Sequence, residues 1–288
     1  MNMSKILLIA ALIVTAAATG AMAADIAAQP YRKAPVAAPD PGWTGWYGGL
    51  NVGGGWSKVD TGYSANDPLS SLLFNVAVPL PANPARFNSS GALGGVQLGY
   101  NHQFAKNWLA GVEADFQYSG IRGSSRATFF NGLAATDVTQ TMDYFGTVRA
   151  RLGFLPTDRL LVYATGGFAY AQLNSAASLS VVGSNINANL PVGGIVYSVN
   201  CGNGSPNTCY AASSSRLTPG WTAGAGLEYA VLKNWSLKGE YLFAAFHDTL
   251  TPTAITVTPG TVASSYSARV SSHLNVVRFG VNYRFGGN

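Results

Sequence analysis

The fold class that this sequence predicts is an all-β, eight-stranded, antiparallel up-and-down transmembrane barrel, and three observations carry it. The first is an export segment: Lys5 gives a positive start, Ile6 to Ala18 an apolar run, and Ala21-Met22-Ala23 a small-residue cleavage motif. No later run reaches 18 consecutive apolar residues, so a mature chain that spans a bilayer must do so with strands closed into a barrel. The second is period-two alternation in eight segments from Trp43 onward, and the third is aromatic residues that bracket several of these segments at ten-residue intervals.

Composition points the same way. Only 10% of the 288 residues are charged, against the roughly 25% usual in soluble domains, while 48% are hydrophobic. Much of the surface is therefore expected to face something other than water. The net charge of +5 comes without any run of five Lys or Arg, so nucleic acid is not an expected partner. The chain divides into a signal peptide (1–23), an Ala/Pro-rich tail (24–42) with no apolar period, and a barrel (43–288) with long extracellular loops.

In the first strand Trp46, Gly48, Leu50, Val52, Gly54 and Trp56 form a lipid-facing side, with Asn51 among glycines opposite. The second sends Val96, Leu98, Tyr100 and Phe104 outward against Gln97, Asn101 and Gln103. In the third, Trp108, Ala110, Val112, Ala114, Phe116 and Tyr118 alternate with Gly111, Glu113, Asp115 and Gln117. The fourth sets Met142, Tyr144, Val148, Ala150, Leu152 and Phe154 against Asp143, Thr147, Arg149 and Arg151. The fifth turns Leu160, Val162, Ala164, Phe168 and Tyr170 outward. The sixth and seventh expose Trp221, Ala223, Ala225, Leu227 and Tyr229, then Trp235, Leu237, Tyr241 and Phe243. Thr222, Glu228, Lys238 and Glu240 lie opposite them. The eighth sets Val277, Phe279, Val281, Tyr283 and Phe285 against Arg278, Asn282 and Arg284.

Ten residues of strand measure about 33 Å, or roughly 25 Å across the bilayer at a tilt near 40°, the height of an outer-membrane apolar band. Candidate girdle residues are Trp46, Trp56, Phe104, Trp108, Tyr118, Tyr144, Phe154, Trp221, Trp235, Tyr241 and Phe285. Connections such as Ala105-Lys106-Asn107 and Leu232-Lys233-Asn234 are short and alternate with long ones, which places both termini in the periplasm. Cys201 and Cys209 enclose a turn-rich segment and, in an oxidising compartment, are expected to pair.

Trp43-Thr44-Gly45-Trp46-Tyr47-Gly48-Gly49-Leu50-Asn51, followed by glycines and Trp56, resembles the first strand of the alphaproteobacterial outer-membrane surface-antigen family, often labelled porin-like. Its barrels are similar to those of OmpA, OmpX and the opacity proteins. Asn282-Tyr283-Arg284-Phe285 resembles the family's closing strand, whose terminal aromatic the barrel-assembly machinery reads. Here Gly286-Gly287-Asn288 follow that aromatic, a departure from the pattern. The likeness runs from Trp43 to Phe285. It implies residence among outer-membrane lipid and lipopolysaccharide, with outer loops offered to host-surface ligands.

The inward face collects Glu113, Asp115, Asp143, Glu228 and Glu240 against Arg149, Arg151, Lys238, Arg278 and Arg284, so the lumen is formally neutral. An eight-stranded barrel has room for little beyond its own side chains, which favours a packed salt-bridge network over an ion path. Leu93, Leu109, Phe145, Leu161 and Tyr163 share that face. His247-Asp248 is read as a polar loop pair, because Gly-x-Ser-x-Gly is absent and nothing places a nucleophile beside it. No catalytic, metal or cofactor residue is assigned. The favoured function is a structural, surface-exposed barrel, with small-solute passage as the alternative and a barrel hydrolase as a third reading. Peptidoglycan binding by the tail is left open.

Overall fold

The computed structural model describes residues 42–72, 85–129, 134–181, 187–200, 207–254 and 261–285. Its strands are β1 (Gly45–Ala65), β2 (Ala85–Ala105), β3 (Trp108–Phe129), β4 (Ala134–Thr157), β5 (Leu160–Val181), β6 (Asn187–Val192), β7 (Ile195–Asn200), β8 (Asn207–Ala230), β9 (Trp235–Leu250), β10 (Thr253–Ala254), β11 (Val262–Ala263) and β12 (Tyr266–Phe285). One short helix, α1 (Pro68–Leu72), follows β1. Eight strands close a ring in the order β8-β5-β4-β3-β2-β1-β12-β9, with β9 pairing back onto β8. The remaining strands belong to the segments between β5 and β8 and between β9 and β12.

The register of that ring fixes its shape. From Trp46 the paired residues run through Tyr100, Val112, Ala150, Gly166, Ala223, Phe243 and Asn275 and return to β1 at Trp56. The circuit is displaced by 56 − 46 = 10 residues. Ten residues of ~3.3 Å against eight strand spacings of ~4.8 Å give a strand tilt of about 41°, within the range of outer-membrane barrels.

Alternation sorts the side chains as the sequence predicts along most of the wall. Leu50, Val52, Leu98, Val112, Val148, Leu227 and Phe279 are exposed on the outer surface, and the residues between them are buried. Ring contacts mark two aromatic belts. Near the short turns, Trp46 lies 5.3 Å from Tyr100, Trp108 5.2 Å from Phe154 and Trp235 5.0 Å from Tyr283, with Tyr283 against Phe285. Toward the other end, Phe116 meets Tyr144, and Trp221 meets Phe243, which stacks on His273. Trp56 and Tyr118 are exposed at this upper level and Phe104 at the lower, while the exposed Tyr241 donates its hydroxyl proton to Asn275 between them. The strands do not stop at the upper belt. β4 and β8 have 24 residues each, more than twice the span the aromatic spacing suggests, so the wall stands well clear of the apolar band.

Two local breaks change the reading of particular residues. A register shift between Met142 and Tyr144 inserts one residue in β4 against β5. Because side chains alternate with period two, that extra residue reverses the faces beyond it. Met142, expected outside, is buried, and Asp143, expected in the lumen, is exposed and accepts a hydrogen bond from Asn174. The second break is a seam. The β8–β9 ladder runs from Ala230↔Ser236 to Gly220↔Phe246 and ends there, and β8 next meets the β9 side at Ala211↔Thr253 through β10. Pro219 stands where the ladder stops and brings no N–H to continue it.

The expected signal peptide, nearly all of the expected tail, Cys201 and the residues after Phe285 lie outside the described residues.

Candidate functional site

The interior is a stack of layers. Nearest the short turns, Trp43, Leu109, Leu155, Leu161, Tyr163 and Ala230 form an apolar cluster. Trp43 lies across this mouth, its indole N–H donating to the Asp158 carbonyl at 2.9 Å. Above it sits an ionic layer. A second apolar cluster follows, with Leu93, Ile121, Met142, Phe145, Leu242 and Phe246 at its centre. A third, containing Val59, Phe87, Val138, Tyr210, Leu250 and Tyr266, fills the end away from the short turns.

The ionic layer is built by alternation on several strands at once. Glu113 and Asp115 on β3 are two residues apart, as are Arg149 and Arg151 on β4 and Lys238 and Glu240 on β9, so each pair points inward together. Arg278 on β12 and Glu228 on β8 complete it. Glu113 is the hub. It accepts from Arg149, from Tyr47 Oη at 2.6 Å and from Lys238 Nζ at 3.1 Å on both oxygens. Arg149 also reaches Glu240 at 2.8 Å and Asp115 at 2.9 Å, and Arg278 reaches Glu240 at 2.7 Å and Asp115 at 3.0 Å. Arg151 binds Glu228 at 2.5 Å, and Glu228 also accepts from Ser236 and Asn282. Four carboxylates thus face four cations, and charge buried this completely is tolerable because every member of the layer has a partner.

Of the ten charges read inward from the sequence, the structure brings these eight together. Asp143 is outside, as described above. Arg284 is buried on the inward face but nearer the mouth, with its guanidinium 4.5 Å from the centre of the Trp43 ring and a hydrogen bond to the Lys233 carbonyl. Neutrality survives, because one carboxylate and one cation leave the layer together.

Of the aromatic partners, the sequence places Tyr163 on the inward face but gives neither Tyr163 nor Tyr47 a role. Arg151 lies 3.6 Å from the Tyr163 ring centre and 5.7 Å from that of Tyr47, and donates to the Tyr47 hydroxyl at 3.1 Å. Both rings approach cross-strand glycines closely. A Cβ at Gly99 would come within 2.4 Å of Tyr47, and one at Gly226 within 2.5 Å of Tyr163, so only glycine permits the approach. The available signal was two glycines on faces that otherwise carry side chains. A chain of amides, Asn51 to Gln97 to Asn282, joins β1 and β2 to Glu228.

His247 and Asp248 are on opposite faces of β9. His247 is exposed, while Asp248 is buried and held by Arg216 across the seam, with Arg216 Nε at 2.9 Å. They therefore form no dyad.

A closed eight-stranded ring with an apolar belt between aromatic girdles defines an outer-membrane β-barrel, exposed at the cell surface. The chain belongs to the outer membrane protein beta-barrel domain family, whose profile matches residues 8–285. It is similar to the 31 kDa outer-membrane immunogenic protein of Brucella melitensis, at 35% identity over 93% of this chain and 95% of that protein. The 25 kDa outer-membrane immunogenic protein of Brucella abortus is 26% identical over 85% of each chain. Among solved structures, the outer membrane protein OprG from Pseudomonas aeruginosa is matched at 12% identity and a TM-score of 0.38, over 85% of this chain and 99% of that one.

Proposed function

We propose that the protein is a non-conducting, non-enzymatic structural barrel that strengthens the outer membrane and presents its long connections outside the cell. The observation that carries this reading is the lumen, where an interlocked ionic layer of buried side chains lies between apolar clusters. The immunogenic character named for the Brucella relatives fits surface presentation. In this reading both chain ends are periplasmic, residues 1–23 are removed on export, the 24–42 tail reaches toward peptidoglycan, and Cys201 and Cys209 are bridged. The barrel-assembly machinery inserts the chain into lipid and lipopolysaccharide.

An epitope placed between residues 73 and 84, in the connection from α1 to β2, tests the topology on intact cells. Antibody should label it without permeabilisation, whereas an epitope at Lys106 should need the outer membrane opened. The reverse pattern would overturn the orientation.

A further inference from the structure

The seam where β8 and β9 part has a feature that the closed lumen leaves unexplained. Between the last rung at Gly220↔Phe246 and the rejoining at Ala211↔Thr253, the wall opens into a cleft of about 460 Å³. Arg216, Leu217 and Pro219 line one side of it, and His247, Asp248 and Arg269 the other. Arg216 clips the opening by binding Asp248 and the Thr249 carbonyl at 3.1 Å, yet about half of its side chain stays exposed. Arg269 projects outward from β12 and has no carboxylate within 4.0 Å among the described residues. Two arginines face one buried aspartate, so the cleft is net cationic.

Its height on the barrel is informative. Pro219 is two residues above Trp221, His247 four above Phe243, and Arg269 four above His273, which stacks on Phe243 in the upper belt. At a tilt near 41° each pair of residues climbs about 5 Å, so the cleft floor begins ~5 Å and its cations stand ~10 Å above that belt. The floor thus falls within the headgroup layer, which adds roughly 5 to 7.5 Å on each side of the hydrocarbon core, and the cations stand just above its outer edge. The floor is apolar, from Leu217 and Pro219, and the rim is cationic.

We propose that this cleft binds the phosphorylated headgroup of a lipopolysaccharide molecule in the outer leaflet, with Arg269 and the free edge of Arg216 on phosphate and Leu217 and Pro219 against the first part of an acyl chain. The proposal rests on the reading that the long connections face outward. Its chemistry is that of charge-assisted hydrogen bonds, in which guanidinium and phosphate match geometrically.

The test uses the purified, folded full-length barrel in detergent, with bisphosphorylated lipid A, fully dephosphorylated lipid A and inorganic phosphate as probes. Arg269→Ala should weaken bisphosphorylated lipid A binding by about tenfold, the scale of one charge-assisted hydrogen bond. Arg269→Lys should recover part of that loss. Arg122→Ala removes the same charge three strands away on β3 and should change affinity by less than about twofold, since it contacts nothing in the cleft. Equal binding of dephosphorylated lipid A, or equal losses in Arg269→Ala and Arg122→Ala, would overturn the proposal. Inorganic phosphate binding as tightly as lipid A would replace the lipid with a free anion and overturn it too. Binding is measured on isolated protein, so its failure is distinct from failure of the surface-labelling test.

Discussion

At the scale of single residues, the distinction between Arg149 and Asp143 matters most. In the sequence they stand on the same parity and share an expected environment. In the structure Arg149 is fully buried and bonds three carboxylates, while Asp143 is exposed beside Asn174. Arg149→Ala should therefore strand buried carboxylates and cost about 3 to 5 kcal/mol of stability, whereas Asp143→Ala should cost within about 0.5 kcal/mol. Urea unfolding in detergent measures both. Equal costs would place Asp143 back in the lumen. Combining Arg149→Met with Glu240→Gln should recover part of the loss, by roughly 0.5 to 3 kcal/mol relative to additivity. Titration offers a second check at the outer end, above the aromatic belt. Burial pushes the phenols of Tyr63, Tyr210 and Tyr266 up from their ordinary value. Because the folded pKa is raised, the stability these groups contribute is complete below about pH 10 and lost as pH rises through their folded values. Phenolate absorbance should show these three ionising only above the ordinary phenol value of about 10. Ionisation at that ordinary value would mean the cluster is open to water.

At the scale of elements, the strands and their faces were legible because lipid and lumen impose a strict two-residue period. The bulge at Met142 and Tyr144 was not, because an inserted residue reverses parity without altering composition, and Met and Tyr are equally at home on either face. The upper reach of the strands was hidden for a related reason. Above the belt the outer face meets water, so Ser, Thr and Asn replace the apolar half of the alternation and the signal fades into what reads as loop. The alternation reads Tyr163 as inward-facing, but the roles of Tyr47 and Tyr163 were not legible, because they depend on glycines one strand away, a relation only register reveals. Gly226→Ala should displace Tyr163 from Arg151 and destabilise the barrel by about 1 to 3 kcal/mol, the usual cost of overpacking. No change in unfolding would show that the ring has room to move. The seam has its own signature. Amide exchange over residues 212–219 and 247–252 should outpace exchange over the β4–β5 ladder, where pairing continues from Thr157↔Leu160 to Ala134↔Val181. Uniform protection around the ring would mean the seam closes in solution.

At the scale of the whole molecule, the barrel is held by two different media. Outside, apolar side chains face lipid. Inside, an ionic layer of eight charges, further buried polar groups and three apolar clusters occupy the space that a ring of eight strands with a ten-residue displacement leaves. The charge balance was readable from sequence, but the order of the layers was not, since each layer draws on residues scattered over most of the chain. A layer so interlocked rigidifies the wall, and in the proposed reading it closes the lumen. Single-channel recording of the purified barrel in a planar bilayer examines this directly. A closed lumen gives no resolved conductance steps in wild type across a range of salt concentrations. Discrete steps that scale with salt in wild type and change in size with Arg149→Ala would contradict it and make the ionic layer the lining of a pore.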